Sequence, residues 1–181
     1  GGIRSGVEPF IEQRAAPVAA PGGGSAAAAS GAMAAALGVM VASMSRGKKA
    51  YVQYERQISE AISRLGQIRE ELKASIDADA DAFNSVMAAY ENAKESSDSD
   101  GVIDAALKQA TNVPLGVAER AREVAGIVEL LRPITSPNMK SDLVTAAALA
   151  KAAIEGALAN VEINLESLKD VDFATQVRKR L

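Results

Sequence analysis

The amino-acid sequence predicts an all-α fold, a single-domain bundle of long helices around a central helix of small residues. Hydrophobic residues make up 48% of the 181 residues, enough for one well-buried core. Aromatic residues are only 3% and Ala dominates the apolar positions, so the core has to be built from closely packed helices. Apolar residues recur every three or four positions in the longer segments, as on the buried face of a helix. We therefore expect one domain over residues 1–181.

The first part of the chain predicts a short helix, a loop and the central helix. The short helix covers 7–15 and is followed by Pro17 and Pro21, which break it. The loop Gly22, Gly23, Gly24 then leads to Ser25, a suitable N-cap for a helix over 26–44. That helix is long enough to span a bilayer, but its Ala and Gly residues supply little transfer energy and no aromatic belt flanks it. We expect other helices to surround it on all sides.

Four or five further helices follow from the same reasoning. One begins near Lys48 and runs to about residue 89, ahead of a polar loop over 91–100. Helices are then expected over 101–109 and 114–131, with Pro114 in a first turn. Ser141 is a suitable N-cap for a long helix with an apolar stripe from Leu143 to Leu165, and a last short helix covers 172–180.

Composition excludes several kinds of function. The sequence has no Cys and no His, which removes thiolate nucleophiles, imidazole bases and the usual zinc ligands. Proton transfer would fall to Asp, Glu, Lys or Tyr. The net charge of −3 lacks the basic excess of a nucleic-acid binder. We expect no metal, no tightly bound cofactor, no nucleic-acid or membrane partner, and, since the first residues show no signal or transit pattern, a cytoplasmic protein.

Three acids lie close together at Asp77, Asp79 and Asp81. At about 100° per residue, Asp79 falls within the apolar stripe of its helix, whereas the other two point away from it. A carboxylate on a buried face is costly unless it is paired or its pKa rises. Asp79 is therefore the candidate proton-transfer group, while a solvated acidic face describes Asp77 and Asp81. A calcium loop is excluded because no glycine follows at the required place.

Two other segments suggest ligand contacts. The glycine loop before Ser25 opens onto a helix, so its free N–H groups and the helix dipole favour a phosphate or carboxylate, although a flexible entry turn explains it equally. Asp142, Asn160 and Asn164 share a second face of the long helix near the C-terminus. Asp142 and Asn164 would lie about 33 Å apart along that helix, too far for one pocket of one subunit. Helix-dipole stabilisation also explains Asp142.

Several short motifs resemble the cyclodeaminase/cyclohydrolase family. They are Ala-Pro-Gly-Gly-Gly-Ser (20–25), Met-Val-Ala (40–42), Gly-Lys-Lys-Ala-Tyr (47–51), Asp-Ala-Asp-Ala-Asp-Ala-Phe (77–83), Val-Pro-Leu (113–115), Lys-Ser-Asp-Leu (140–143) and Asn-Val-Glu-Ile-Asn-Leu (160–165). The resemblance covers most of the chain, in order. It implies an all-helical homodimer with a site for a tetrahydrofolate derivative as substrate.

The resemblance also implies roles for particular residues. An aspartate of the family is thought to handle protons, and that role falls on Asp79, with Asp77 as the fallback. The glycine loop, Gly22 to Gly24 with Ser25, would hold the pterin or its neighbouring polar groups. Lys48 or Lys49 would meet the glutamate carboxylates of a folate that can be polyglutamylated. For the two lysines an exposed helix start is an equal alternative.

The family resemblance leaves three functions to be tested. The first is a cyclodeaminase, which closes 5-formimidoyltetrahydrofolate to 5,10-methenyltetrahydrofolate with release of ammonia and can work beside a formimidoyltransferase domain. The second is a methenyltetrahydrofolate cyclohydrolase, which could use nearly the same pocket because both reactions pass through a tetrahedral carbon between two nitrogens. The third is a catalytically silent, folate-binding helical dimer.

Overall fold

The computed structural model describes residues 2–181 and is all-helical over that range. The helices are α1 (Arg4–Ala15), α2 (Gly23–Ser45), α3 (Glu55–Ala93), α4 (Ser99–Leu131), α5 (Lys140–Ser167) and α6 (Val171–Arg178). Short 3₁₀ turns at Lys49–Tyr54, Arg132–Ile134 and Pro137–Met139 connect them. The prediction of an all-α fold is confirmed.

Helix α2 packs closely because its buried face consists of small residues. It lies against α3, α5 and α4, and a β-carbon at Gly38 would lie only 2.7 Å from Leu65 Cδ1 of α3. At Gly31 the same distance, to Leu72 Cδ1, is 3.0 Å. Leu65 and Leu72 are both fully buried, so the glycines set how closely α2 and α3 approach.

The expectation that α2 is surrounded on all sides is wrong for the single chain. Its three long neighbours leave one side uncovered, where the side chains of Met33, Met40 and Met44 are 50%, 38% and 52% exposed. We call these three residues the methionine stripe. By length and composition alone, α2 and the segment Pro137–Ser167 could each cross a membrane, a test that buried core helices also pass.

Helix α4 runs without interruption through Pro114, where the sequence predicts two helices. The residues on both sides of the proline are buried: Thr111, Leu115 and Val117 are all 3% exposed or less. Packing of this face outweighs the hydrogen bond that a proline removes from a helix interior. The carbonyl of Ala110, four residues earlier, consequently lacks the donor that residue 114 would normally supply.

Three predicted helix starts also differ. Ser25 is not an N-cap, because α2 already begins at Gly23 and the Ser25 hydroxyl donates to the Gly22 carbonyl within the first turn (2.9 Å). The helix expected from Lys48 begins as the 3₁₀ turn and becomes α-helical at Glu55. For α5 the N-cap position is Met139, since the preceding 3₁₀ turn leads directly into the helix.

A second, smaller core packs the end of α5, with Val161 and Leu165, against Leu107 of α4. Hydrogen bonds reinforce this contact. The side chain of Asp104 in α4 accepts the backbone N–H groups of Lys169 and Asp170 at 3.0 and 2.8 Å, in the turn after α5. Asp170 caps α6 by accepting the N–H of Phe173 at 3.0 Å. This link fixes two helices that form walls of the pocket described below.

The contact between α2 and α3 gives a stability prediction. Gly38→Val should lower the free energy of unfolding by about 1–3 kcal/mol, because overpacking a well-packed core costs that much. The matched control is Gly66→Val in α3, where a β-carbon meets nothing within 4 Å. Urea unfolding of both variants measures the effect, and equal stabilities would show that α2 has room to move away from Leu65.

Candidate functional site

One pocket of about 340 Å³ brings together residues from four parts of the chain. Such a volume is at the lower end of the range for small-molecule sites. The wall is formed by the segment before α2, the second half of α3, the first half of α4 and the last turns of α5. Its main lining residues are Gly22, Gly23, Gly24, Asp79, Phe83, Val86, Met87, Tyr90, Leu107, Ala110, Pro114, Asn160 and Asn164.

Asp79 is half-buried in this pocket, on the same helix face as Phe83, Val86 and Met87. Burial raises the pKa of its carboxyl group above the usual value. The backbone N–H of Ser25 and the positive charge of Arg14 act in the opposite direction and lower that pKa. A carboxyl group whose pKa is raised towards neutrality can both accept and donate a proton, as general acid–base chemistry requires.

The carboxylate of Asp79 lies directly against the first turn of α2. A β-carbon at Gly24 would overlap that carboxylate, lying only 2.7 Å even from its farther oxygen, Oδ2. No side chain caps this turn from Gly22, so the carboxylate of α3 meets the free N–H groups and the positive end of the α2 dipole. The carboxylate at the glycine segment is thus a side chain of the protein itself, whereas the sequence predicts a ligand there; that ligand role stays a prediction.

Asn160 and Asn164 reach the pocket from α5. Gly23 lies beside Asn160, because a β-carbon there would be 3.8 Å from Nδ2. That Nδ2 donates to the carbonyl of Gly156 at 2.8 Å, which leaves the Oδ1 oxygen of Asn160 available as an acceptor. The glycine segment, Asp79 and the two asparagines, which the sequence places on separate elements, thus share one pocket.

Ser25, predicted to bind substrate with the glycine loop, is fully buried and does not line this pocket. Four further predicted site residues also lie outside it. Asp77 is exposed on the opposite side of α3 and does not line it. Lys48 and Lys49 are exposed beyond the far end of α2, about 35 Å from the glycine segment at 1.5 Å per residue. Asp142 lies in the first turn of α5, at the other end of that helix from Asn160. Within one chain, the structure does not bring these four residues to Asp79.

Sequence reasoning missed the contribution of α4 and of Arg14. Leu107, Ala110 and Pro114 form one wall, and Pro114 removes the helical donor of the Ala110 carbonyl. Arg14 lies in the last turn of α1 and donates from Nη2 to the Ser25 hydroxyl at 3.0 Å. Pro114 was a feature of the sequence that could have indicated a role for α4 in the site. The spacing of residues gave no indication that Arg14 lies near it.

Among the described residues, no group of three or more Asp or Glu side chains is arranged to hold a metal ion. The polar groups of the pocket are the Asp79 carboxylate, the phenol of Tyr90, the hydroxyl of Ser167, two amides and backbone groups of the glycine segment. This set can bind a heterocycle with several hydrogen-bonding atoms between apolar walls, and can move a proton at one position.

Comparison with known proteins relates this fold to enzymes. Residues 6–181 match a family model described as formiminotransferase-cyclodeaminase. The chain is 36% identical over 179 residues to a methenyltetrahydrofolate cyclohydrolase of Methylorubrum extorquens, covering 97% of this chain and 86% of that one. It is 35% identical over 162 residues to a formimidoyltransferase-cyclodeaminase of Gallus gallus, covering 87% of this chain but only 30% of the relative.

A solved structure agrees with these relatives. The crystal structure of a formiminotetrahydrofolate cyclodeaminase from Thermotoga maritima superposes with a TM-score of 0.88 at 32% sequence identity. The superposition covers 96% of this chain and 84% of that one. The whole arrangement of helices is therefore shared with that protein.

The contact between Gly24 and Asp79 gives a prediction for the pocket. Gly24→Ala should lower the free energy of unfolding by about 1–3 kcal/mol, because the added methyl group has to displace the carboxylate from the first turn of α2. Gly23→Ala is the matched control, since its nearest neighbour is 3.8 Å away. Urea unfolding compares the two, and an equal effect at both positions would contradict the close contact.

Proposed function

Because the chain belongs to the formiminotransferase-cyclodeaminase family, we propose that it is an enzyme acting on a one-carbon derivative of tetrahydrofolate at the pocket around Asp79. We further propose that it closes 5-formimidoyltetrahydrofolate to 5,10-methenyltetrahydrofolate and releases ammonia. The observation that carries the proposal is the half-buried carboxyl group of Asp79, with its raised pKa, in a pocket lined by amides and apolar side chains.

Asp79 would act as a proton shuttle in this reaction. The N10 nitrogen of the folate attacks the protonated formimidoyl carbon and forms a carbon bonded to three nitrogens. The Asp79 carboxylate takes the proton from N10 and passes it to the departing amino group. The carbon–nitrogen bond breaks, ammonia leaves, and the cationic methenyl bridge between N5 and N10 remains. A group that first accepts and then donates a proton works best with a pKa near the working pH.

Hydrolysis of methenyltetrahydrofolate is the second candidate, and the cyclohydrolase of Methylorubrum extorquens supports it. This chain spans most of that relative, but under a third of the Gallus gallus formimidoyltransferase-cyclodeaminase. In the hydrolysis, the Asp79 carboxylate would take a proton from water as it attacks the methenyl carbon. It would then return that proton to the ring nitrogen as the carbon–nitrogen bond breaks, and the remaining hydroxyl proton is released to solvent as the formyl carbonyl forms. The same residue thus serves either reaction, and the substrate decides between them.

Several further properties belong to the proposal. The substrate can carry a polyglutamate tail, and a formimidoyltransferase domain can supply it. We expect no metal or bound cofactor to take part, so activity should survive exhaustive dialysis against a chelator. A cytoplasmic location and a role in histidine degradation stay predictions.

A second copy of the chain is proposed to cover the methionine stripe. Three long neighbours leave this face of α2 open, and flexible thioether side chains adapt well to a partner surface. Such a homodimer would place an apolar helix face against its equivalent, as a twofold interface requires.

The assay that tests the function measures two reactions with the same protein. Ammonia release from 5-formimidoyltetrahydrofolate reports the cyclodeaminase, and loss of methenyltetrahydrofolate absorbance reports the cyclohydrolase. Asp79→Asn should lower kcat of the active reaction ~100-fold or more, since general acid–base groups contribute that much. Asp81→Asn, on the exposed side of α3, is the control and should change little.

Stability gives a separate readout for the same variant. The pKa of Asp79 is raised in the folded state, so folding is weakened as the pH rises through that pKa and the buried carboxyl group ionises. Asp79→Asn removes this charge and should keep or raise the thermal midpoint at neutral pH.

Equal loss of activity in the Asp79 and Asp81 variants, or no turnover of either substrate by the wild-type chain, would refute the proposal.

The dimer has its own test. Replacing Met33 and Met40 with Glu should shift the sedimentation coefficient to that of a monomer, because two carboxylates would be buried without partners. Leu130→Glu is the control, since Leu130 is 71% exposed on α4 away from the stripe. A wild-type chain that sediments as a monomer, or a double variant that still dimerises, would exclude this interface.

A further inference from the structure

Arg14 is held in place by contacts at both ends of its guanidinium group. None of the residues of α1 is buried, so this helix adds little to the core. In its last turn, the Arg14 guanidinium carbon stacks 3.4 Å above the centre of the Phe10 ring, and Nη1 donates to the Phe10 carbonyl at 3.2 Å. The side chain is thereby fixed along its own helix and directed towards the start of α2.

The other end of the guanidinium group connects α1 to the site. Nη2 donates to the hydroxyl of Ser25 at 3.0 Å, and that hydroxyl donates in turn to the Gly22 carbonyl. Ser25 is fully buried, and the residue before it, Gly24, lies against the Asp79 carboxylate. The remaining nitrogen, Nε, is buried without a hydrogen-bond partner. These contacts place the positive charge of Arg14 beside the helix start that meets Asp79.

Arg14 brings a positive charge to the neighbourhood of Asp79, where the side chains of α4 and α5 that line the pocket are uncharged. Of the elements around Asp79, α4 contributes the uncharged Leu107, Ala110 and Pro114, and α5 contributes the amides Asn160 and Asn164. Tyr90 of α3 is the other titratable side chain in the lining, while Asp77 and Asp81 point to solvent. Within the part of the chain that the structure describes, Arg14 is the charged side chain that acts on Asp79.

We propose that Arg14 is a positioning residue that holds the Asp79 carboxylate in its charged form, and that α1 serves to carry this charge to the first turn of α2. The inference rests on the proposed role of Asp79. Without a neighbouring positive charge, a half-buried carboxyl group holds its proton to higher pH, and only its ionised form can accept a proton from the reacting nitrogen or water. The guanidinium group offsets part of that tendency without touching the substrate.

The test is a titration of Asp79 itself in the intact chain, followed by carbon-13 NMR of its carboxyl group. Arg14→Met should raise the pKa of Asp79 above its wild-type value, whereas Arg14→Lys, which keeps the charge, should raise it less. Arg4→Met is the matched control, because Arg4 also lies on α1 but pairs with exposed Glu8. That control should leave the titration unchanged.

Activity provides the second readout. The acidic limb of the pH profile of kcat/KM should move to higher pH in Arg14→Met, with the plateau value at high pH retained. A merely structural role would lower the profile at every pH without moving the limb. Ser25→Ala, which removes the anchor of Nη2, should shift the titration in the same direction and serves if Arg14→Met does not fold.

The outcomes separate this inference from the proposed function. If neither folate substrate is turned over, the proposed function fails while the NMR titration still reports on Arg14. If a folded Arg14→Met or Ser25→Ala variant titrates at Asp79 as the wild type does, Arg14 has no influence on that carboxylate and the inference is overturned.

Discussion

The contact between the Asp79 carboxylate and the first turn of α2 governs the arrangement of this protein. A helix start has backbone N–H groups without partners, and a half-buried carboxylate needs donors. Each therefore satisfies the other across two helices, at a point where Gly24 leaves no room for a side chain. The pocket exists beside this contact, so the group proposed to transfer protons is also part of how α2 and α3 are joined.

The same contact explains why opposing effects act on the pKa of Asp79. Complete burial would leave the carboxyl group protonated, and full exposure would leave it a weak acid–base group at neutral pH. The structure places it between these limits, with the Ser25 N–H and Arg14 acting against burial. In either proposed reaction, this balance sets the pH range over which Asp79 can accept a proton.

The sequence was sufficient for those features that depend on local spacing. The helical period identified Asp79 as the acid on the apolar face, and the small residues of α2 indicated close helix contacts. Prediction from the sequence failed where contacts between residues far apart in the chain determine the structure. Pro114 begins a new helix by local rules, but buried neighbours on both sides keep α4 continuous. Nothing in the spacing showed that Arg14 meets Ser25. The helical rise, by contrast, already separated Asp142 from Asn164, and the structure places Asp142 in the first turn of α5 as expected.

The proline in α4 has a consequence for how this site would respond to mutation. The carbonyl oxygen of Ala110 lacks the donor of an ordinary helix, and both Ala110 and Pro114 line the pocket. Scanning the wall residue by residue leaves that oxygen in place whatever side chain stands at position 110. Only an exchange at position 114 would return it to the helix, so the residue that controls this acceptor is not the residue that carries it.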